Sequence, residues 1–255
     1  MAIWEKPGIL SGEVNLGTNG DQKPVVGICM IHTGDVRFKW AMNWGETSRS
    51  VGYPYVYFHN SNQPYDGARE VTTRACLERG VEWVFHYDTD VILPPNTIPN
   101  MIHLAKEQNK DIISGLYWAK KPEPTPIMPA AWLQISEDLE KREVKYQHMD
   151  MTKLKPYLSQ NALLQCDVVG AGCLLIKADV FKKLDKSNPN LPYFQWGLGR
   201  RDPTGKPLLQ VSEDFYFCHR ATHELKIYPH LATAIKCGHI CSDAEKSAAD
   251  GVLRL

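Results

Sequence analysis

The sequence has no long apolar run, no internal repeat, no low-complexity tract and no excess of charge of either sign. Each absence removes a class of protein. A transmembrane helix needs about 20 consecutive apolar residues, and none occur here. The opening Met-Ala-Ile-Trp-Glu-Lys-Pro-Gly also lacks the apolar core and small-residue cleavage site of a secretory leader. Without a repeat, solenoids and propellers fall away. Lysine plus arginine equals aspartate plus glutamate at 29 each, so no whole-molecule field draws the chain to nucleic acid or an anionic bilayer. The seven cysteines are odd in number, scattered and mostly set in apolar stretches, which argues for reduced thiols over a disulfide framework. The expectation is a cytoplasmic protein with no membrane span and no nucleic-acid partner.

What is present is a chain of 255 residues, enough for one generous core. A compact apolar run after Pro24 suits a buried strand over 25–32, and a Val-, Tyr- and Phe-rich run suits another over 51–59. Asp66 is placed to cap a helix over 67–79. Its apolar positions Ala68, Val71, Ala75 and Cys76 share one face, leaving Arg69, Glu70, Thr73 and Arg74 elsewhere. A strand over 81–87 then runs into Asp88-Thr89-Asp90 and a Pro94-Pro95 turn. A helix over 97–106, a strand over 112–117 and a proline-rich loop over 120–129 follow. Residues 136–165 are charged and weakly patterned, an expected excursion over the active face. Beyond them come a glycine-interrupted strand over 167–176, a helix over 178–186, a loop over 187–209 and a Ser212-capped helix to 224. Two short strands, 227–230 and 233–237, precede a polar tail. This alternation predicts an α/β fold with a single, mainly parallel central sheet flanked by helices.

The strongest chemical signal is Asp88-Thr89-Asp90 at the end of an apolar strand. Ligands of open α/β sheets bind outside the carboxyl ends of the strands. Two carboxylates there make a hard oxygen site suited to Mg2+ or Mn2+. Asp is also favoured in plain solvated turns. Ser212-Glu213-Asp214, at a helix start, offers a carboxylate base for a hydroxyl nucleophile, although a Ser cap followed by acids equally complements the helix dipole. His239, in Cys237-Gly238-His239 after a late strand, is an imidazole that could complete a metal shell or simply be structural. Arg69 has the shape to meet phosphate, against a default of solvated helix residue. Gly170-Ala171-Gly172 permits close backbone approach by a ligand, or marks a bulge. Trp196 offers a stacking surface or a core anchor. His219 and His223, spaced i, i+4 in H-R-A-T-H, lack the intervening Glu of a zinc protease and read as structural or exposed.

Taken in order, these segments resemble the A-type glycosyltransferases, particularly the group around glycosyltransferase family 2. G-A-R-E-V-T-T-R-A-C-L-E-R-G-V-E-W-V-F-H-Y-D-T-D-V looks like that group's arginine-bearing helix, strand and D-x-D motif. D-I-I-S-G-L-Y-W is similar to the short strand that follows. V-V-G-A-G-C-L-L-I-K-A-D-V-F is similar to the glycine-containing strand and helix beneath the acceptor site. S-E-D-F-Y-F-C-H-R resembles the E-D motif, and K-C-G-H-I the late metal histidine. The match spans roughly residues 24–240.

The resemblance implies a Rossmann-like domain over 1–255. It comprises an arm (1–23), a nucleotide-sugar-binding half (24–117), an acceptor-binding half (118–240) and a tail (241–255). It implies Mn2+ or Mg2+ held by Asp90 and His239, with Asp88 serving the metal shell or the donor ribose. Arg69 would approach the donor nucleotide, with His32 and Thr33 near its base. Asp214, with Glu213 beside it, would act as base in an inverting displacement. Gly170, Ala171, Gly172 and Trp196 would face the acceptor. A UDP-sugar is the favoured donor and a GDP-sugar the other; the acceptor would be a glycan, a lipid-linked molecule or a protein. The first strand ends I-H-T-G, unlike many of that group, and the Q-x-x-R-W of processive synthases is absent, so single-sugar transfer is expected.

Three rivals stay open on sequence. A haloacid-dehalogenase-like phosphatase also places D-x-D after an apolar strand, but normally after the first one and with Thr or Val where Ile92 stands. A non-catalytic nucleotide-sugar or glycan-binding module would not require Asp214. A sugar nucleotidyltransferase would carry a glycine-rich basic loop where this chain has I-H-T-G-D-V-R.

Overall fold

The computed structural model describes residues 10–15, 23–32, 36–61, 64–119, 128–138, 140–240 and 252–253. Thr33, Cys241 and most of the arm and tail lie outside the described residues. Strand β1 (Leu10–Asn15) precedes β2 (Val26–His32), the apolar run after Pro24. Helix α1 (Phe38–Arg49) leads to β3 (Tyr55–Ser61), and α2 (Tyr65–Glu78) to β4 (Trp83–Asp88). Then come the short β5 (Val91–Ile92), α3 (Thr97–Glu107), β6 (Ile112–Leu116) and β7 (Trp118–Ala119). The second half opens with β8 (Met128–Pro129), a hairpin of β9 (Ala131–Asp138) and β10 (Glu143–His148), and the short α4 (Met151–Leu154). It continues through β11 (Leu163–Gln165), β12 (Val168–Val169), β13 (Cys173–Lys177), α5 (Ala178–Ser187) and α6 (Glu213–Leu225). β14 (His230–Lys236), β15 (Gly238–Ile240) and β16 (Val252–Leu253) close the described chain.

The main sheet has eight strands in the order β1-β3-β2-β4-β13-β6-β14-β11. β3, β2 and β4 are parallel neighbours, as are β6 and β14. β13 runs antiparallel to both β4 and β6, so these five strands share one direction and only β1, β13 and β11 oppose it. The inserted β13 decides where the site lies. Because it runs backwards, its start stands at the carboxyl ends of its neighbours, and Gly172 O accepts from Asp88 N at 3.1 Å.

Alternate residues along the strands feed two separate cores. Cys29, Val84, Leu174 and Ile176 pack with Cys76 of α2, Phe181 of α5 and Phe217 of α6 on one face. Ile28, Phe85 and Leu175 pack with Trp40 of α1 and Met101 of α3 on the other. At roughly 1.5–3 kcal/mol per fully buried large apolar side chain, these two layers hold the sheet between its helices. No helix among the described residues is long and apolar enough to cross a membrane. All six described cysteines are buried and unpaired.

Several local expectations need correction. Helix α1 was not foreseen, and neither was the β9–β10 hairpin, which begins before residue 136 and runs into the segment expected as an excursion over the active face. The pair of strands expected over 227–237 is one strand, β14, because Pro229 has no N–H for a ladder and its carbonyl instead receives Cys166 N. Asp66 does not cap α2; Pro64 stands at that position. Asp66 lies buried in the first turn, and its Oδ2 accepts from Trp196 N and Arg200 Nη1, both within 3.0 Å. Arg69, Glu70 and Thr73 are buried as well, while Val71 is only half-buried. Glu70 Oε2 receives the backbone N–H groups of Tyr193 and Phe194. The inward acids of α2 thus moor the long loop between α5 and α6.

Candidate active site

A cleft of about 430 Å³ opens at the carboxyl edge of the sheet. It is lined by His32 at the end of β2, Asp88 at the end of β4 with Thr89 and Asp90 after it, and Tyr117 after β6. Ala171 before β13, Glu213 and Asp214 at the start of α6, Arg69 of α2 and His239 of β15 complete it with Ile31, Arg37, Tyr65 and Val91. Eight of the residues singled out in the sequence therefore meet in one place: His32, Arg69, Asp88, Asp90, Ala171, Glu213, Asp214 and His239.

Arg69 is the hub. Its Nη2 donates to both carboxylate oxygens of Asp88 at 2.9 Å, and its Nε donates to Glu213 Oε1 at 3.2 Å. Burial alone would favour loss of the guanidinium proton, but Asp88 and then Glu213 outweigh it and raise the Arg69 pKa above its ordinary value. Its Nη1 is buried and has no hydrogen-bond partner among the described residues. Left unpaired, such a buried donor costs stability. Arg69 is thus no solvated helix residue, and Asp88, engaged by it on both oxygens, stands apart from Asp90 as a candidate metal ligand.

Asp90 and His239 form a second pair. β15 pairs antiparallel with β5, setting His239 opposite Val91, and Ile240 N donates to Asp90 O at 2.7 Å. This brings His239 Nε2 within 3.5 Å of Asp90 Oδ2. On the other side of the ring, Nδ1 must donate to Trp118 O, because a carbonyl only accepts. Nε2 thus faces the carboxylate. An imidazole nitrogen and a carboxylate across such a gap are ligand types that suit a divalent cation such as Mn2+ or Mg2+ once the ring is neutral, and the carbonyl behind the ring stands in the position of an outer-sphere partner.

The acids at the head of α6 differ in setting. Burial pushes the Glu213 carboxyl up to about 7, with Asp214 adding and Arg69 opposing. Burial also raises Asp214, against the Ser212 hydroxyl and Arg69. Ser212 stands at the helix N-cap, as expected, but its hydroxyl makes no cap bond to the backbone; it donates to Asp214 Oδ1 at 2.6 Å. Phe215 N donates to the same oxygen. Both of these bonds fall on Oδ1, on a side chain that lines the cleft.

The other glycine and tryptophan positions do not reach the cleft. The room beside Gly170 and Gly172 is taken by Tyr117, whose hydroxyl accepts from Gly172 N at 3.0 Å. A Cβ on Gly170 would lie 2.2 Å from that hydroxyl oxygen. The close approach foreseen at these glycines is therefore made by a side chain of the protein, and only Ala171 faces the cleft. Gly170→Ala must expel the Tyr117 ring, and we expect it to lower stability by about 1–3 kcal/mol. An unchanged urea midpoint would contradict this. Trp196 is half-buried outside the cleft, tied by its backbone to Asp66.

Sequence reasoning missed the support that α1 gives. Trp40 Nε1 donates to Asp88 O at 3.1 Å. Asn43 receives Tyr87 Oη and Leu93 N on its Oδ1, both at 2.7 Å, and donates Nδ2 to Leu93 O. Both ends of the Asp88–Asp90 turn are thereby fixed from one helix. The buried face of α1, Trp40, Asn43 and Thr47, is two-thirds polar, so no apolar periodicity in the sequence marks it.

No protein-family model matches the sequence, and no curated protein matches it. Solved structures do. The chain is similar to A197 from STIV, with 14% identity and a TM-score of 0.53 over 85% of this chain and 86% of that one. It is also similar to GalNAc-T7, solved with UDP, GalNAc and Mn2+, with 8% identity and a TM-score of 0.54 over 86% of this chain. This chain spans 43% of the latter protein. At such identities the likeness speaks to fold alone: an α/β chain with the A-type glycosyltransferase fold, without singling out family 2.

Proposed function

We propose that the cleft is the active site of a metal-dependent glycosyltransferase that moves a single sugar from a nucleoside diphosphate sugar to an acceptor hydroxyl, with inversion. What carries the proposal is the meeting, on one sheet edge, of the facing Asp90–His239 pair with the Asp214 carboxylate, whose recorded hydrogen bonds fall on Oδ1. A UDP-sugar is the favoured donor, in keeping with the UDP and GalNAc of the GalNAc-T7 structure, and a GDP-sugar is the other.

Asp90 and His239 would hold Mn2+ or Mg2+, which when bound supplies Lewis-acid neutralisation of the diphosphate leaving group. Arg69, oriented by Asp88, would lend its positive charge to the diphosphate. His32 lines the donor side. Asp214 takes the proton of the acceptor hydroxyl as its oxygen bonds the anomeric carbon and the bond from that carbon to the diphosphate breaks. A carboxylate with a pKa raised by burial is a better match to that task than one in water. Glu213, held by Arg69, positions the pair.

The test is slow donor hydrolysis, with water standing in for the acceptor. Incubation with a panel of UDP- and GDP-sugars should release one nucleoside diphosphate only when Mn2+ or Mg2+ is present. Hydrolysis of a generic phosphomonoester with no release from any nucleotide-sugar would overturn the proposal in favour of a phosphatase.

A further inference from the structure

Away from the cleft, His219 and His223 come together with a residue that the sequence gives no reason to group with them. The two histidines are one turn apart on α6, their rings stacked at 4.0 Å between centroids. Glu137, on β9, reaches both: its Oε1 lies 3.6 Å from His219 Nε2 and its Oε2 lies 4.0 Å from His223 Nε2. Among the described residues this is the one group of three such side chains whose ligand atoms all fall within 4.8 Å of one another. Ligands about 2.0–2.2 Å from a tetrahedral Zn2+ stand roughly 3.3–3.6 Å apart, so little contraction is needed.

Further observations sit at the same place. Gln134 Oε1 lies 3.4 Å from His223 Nε2, a fourth polar atom on the same side. Tyr146 Oη is 3.5 Å from His219 Nδ1, the outer-sphere position that fixes a ligating ring. The side chains of His219 and Glu137 are largely buried and that of His223 is partly open, which leaves an entry path. The strand and helix are already packed together, with Trp132 of β9 and Tyr146 of β10 against Phe215 of α6.

We propose that Glu137, His219 and His223 form a second metal site, selective for a nitrogen-preferring divalent ion of the Zn2+ class, that clips the β9–β10 hairpin to α6. Two imidazoles and one carboxylate favour zinc over the harder Mg2+. His219 lies five positions beyond Asp214 along α6, about 7.5 Å of helix rise. The clip therefore steadies the helix that carries the acidic pair, and it stands whether or not the cleft transfers sugar.

The experiment uses the full chain in an Asp90→Ala background, which removes the cleft pair, stripped with a chelator and titrated with Co2+ as a spectroscopic stand-in for Zn2+. One equivalent should bind with a visible d–d band. Adding His223→Gln or Glu137→Gln should weaken binding by more than about 100-fold, beyond the loss of an outer-sphere partner. His223 is exposed enough for this change to leave the fold intact, which circular dichroism of the metal-free chain verifies. No Co2+ band in the Asp90→Ala chain, or an equal band with His223→Gln added, overturns the proposal.

Discussion

Asp90→Asn should lower metal-dependent turnover of the nucleotide-sugar donor by roughly a thousandfold while leaving the fold intact. The size follows from the role. A divalent ion contributes several kcal/mol of charge stabilisation to a transition state, and each 1.36 kcal/mol is a factor of ten in rate, so losing about 4 kcal/mol costs three decades. The intact fold follows from the setting: the Asp90 side chain is 41% exposed, and it is the Asp90 carbonyl, kept in Asn, that receives Ile240 N. His239→Ala should behave similarly in rate. It also removes the hydrogen bond to Trp118 O, so some stability goes with it. The check is donor hydrolysis by each variant over a range of Mn2+ concentrations. A loss below tenfold for Asp90→Asn at saturating metal would remove Asp90 from the site.

Arg69→Met should destabilise the protein by about 3–5 kcal/mol, the usual cost of leaving a buried charge without its partner. Here the orphaned groups are Glu213, with an 8% exposed side chain, and Asp88, at 25%. The deficit should depend on pH with a definite sign. Arg69 opposes the upward push on Glu213, so its removal lifts that carboxyl further above its ordinary range. A group whose folded pKa is raised keeps its contribution at low pH and loses it as pH rises through the folded value. The gap between Arg69→Met and wild type should therefore be smaller at pH 5 than at pH 8. Adding Glu213→Gln should recover part of it. Urea unfolding at the two pH values reads this out; a loss below 1 kcal/mol, or a gap that shrinks as pH rises, would contradict the buried hub.

The parts of this site that are legible in sequence lie at the ends of elements. Asp88 and Asp90 follow an apolar strand, Glu213 and Asp214 open a helix, and His239 trails a strand, so their types and places stand out locally. The roles of Arg69 and Asp66 are not legible that way. By helical pattern Arg69 belongs among the solvent residues, and its burial makes sense only once Asp88, 19 residues on, and Glu213, 144 residues on, arrive beside it. Helix α1 hides for a related reason. Phe38 and Met42 are exposed while Asn43 is buried, so its apolar pattern points the wrong way. The β9–β10 hairpin hides because a bulge between Lys145 and Tyr146 breaks its alternation. The glycines at 170 and 172 signalled a close approach, as they should; that Tyr117 makes it is tertiary information. His219 and His223 show the same limit, since their third companion comes from another element.

The most direct test of the cleft as a metal-dependent donor site is calorimetric titration of the wild-type chain with UDP and GDP, each with Mn2+ and again with chelator. One nucleotide should bind in the presence of Mn2+ only, and Asp90→Ala should abolish its binding. At about a hundred times the dissociation constant that ligand should also add roughly 2.7 kcal/mol to stability. No binding of either nucleotide with Mn2+ present, or binding equally strong in chelator, would contradict the donor site.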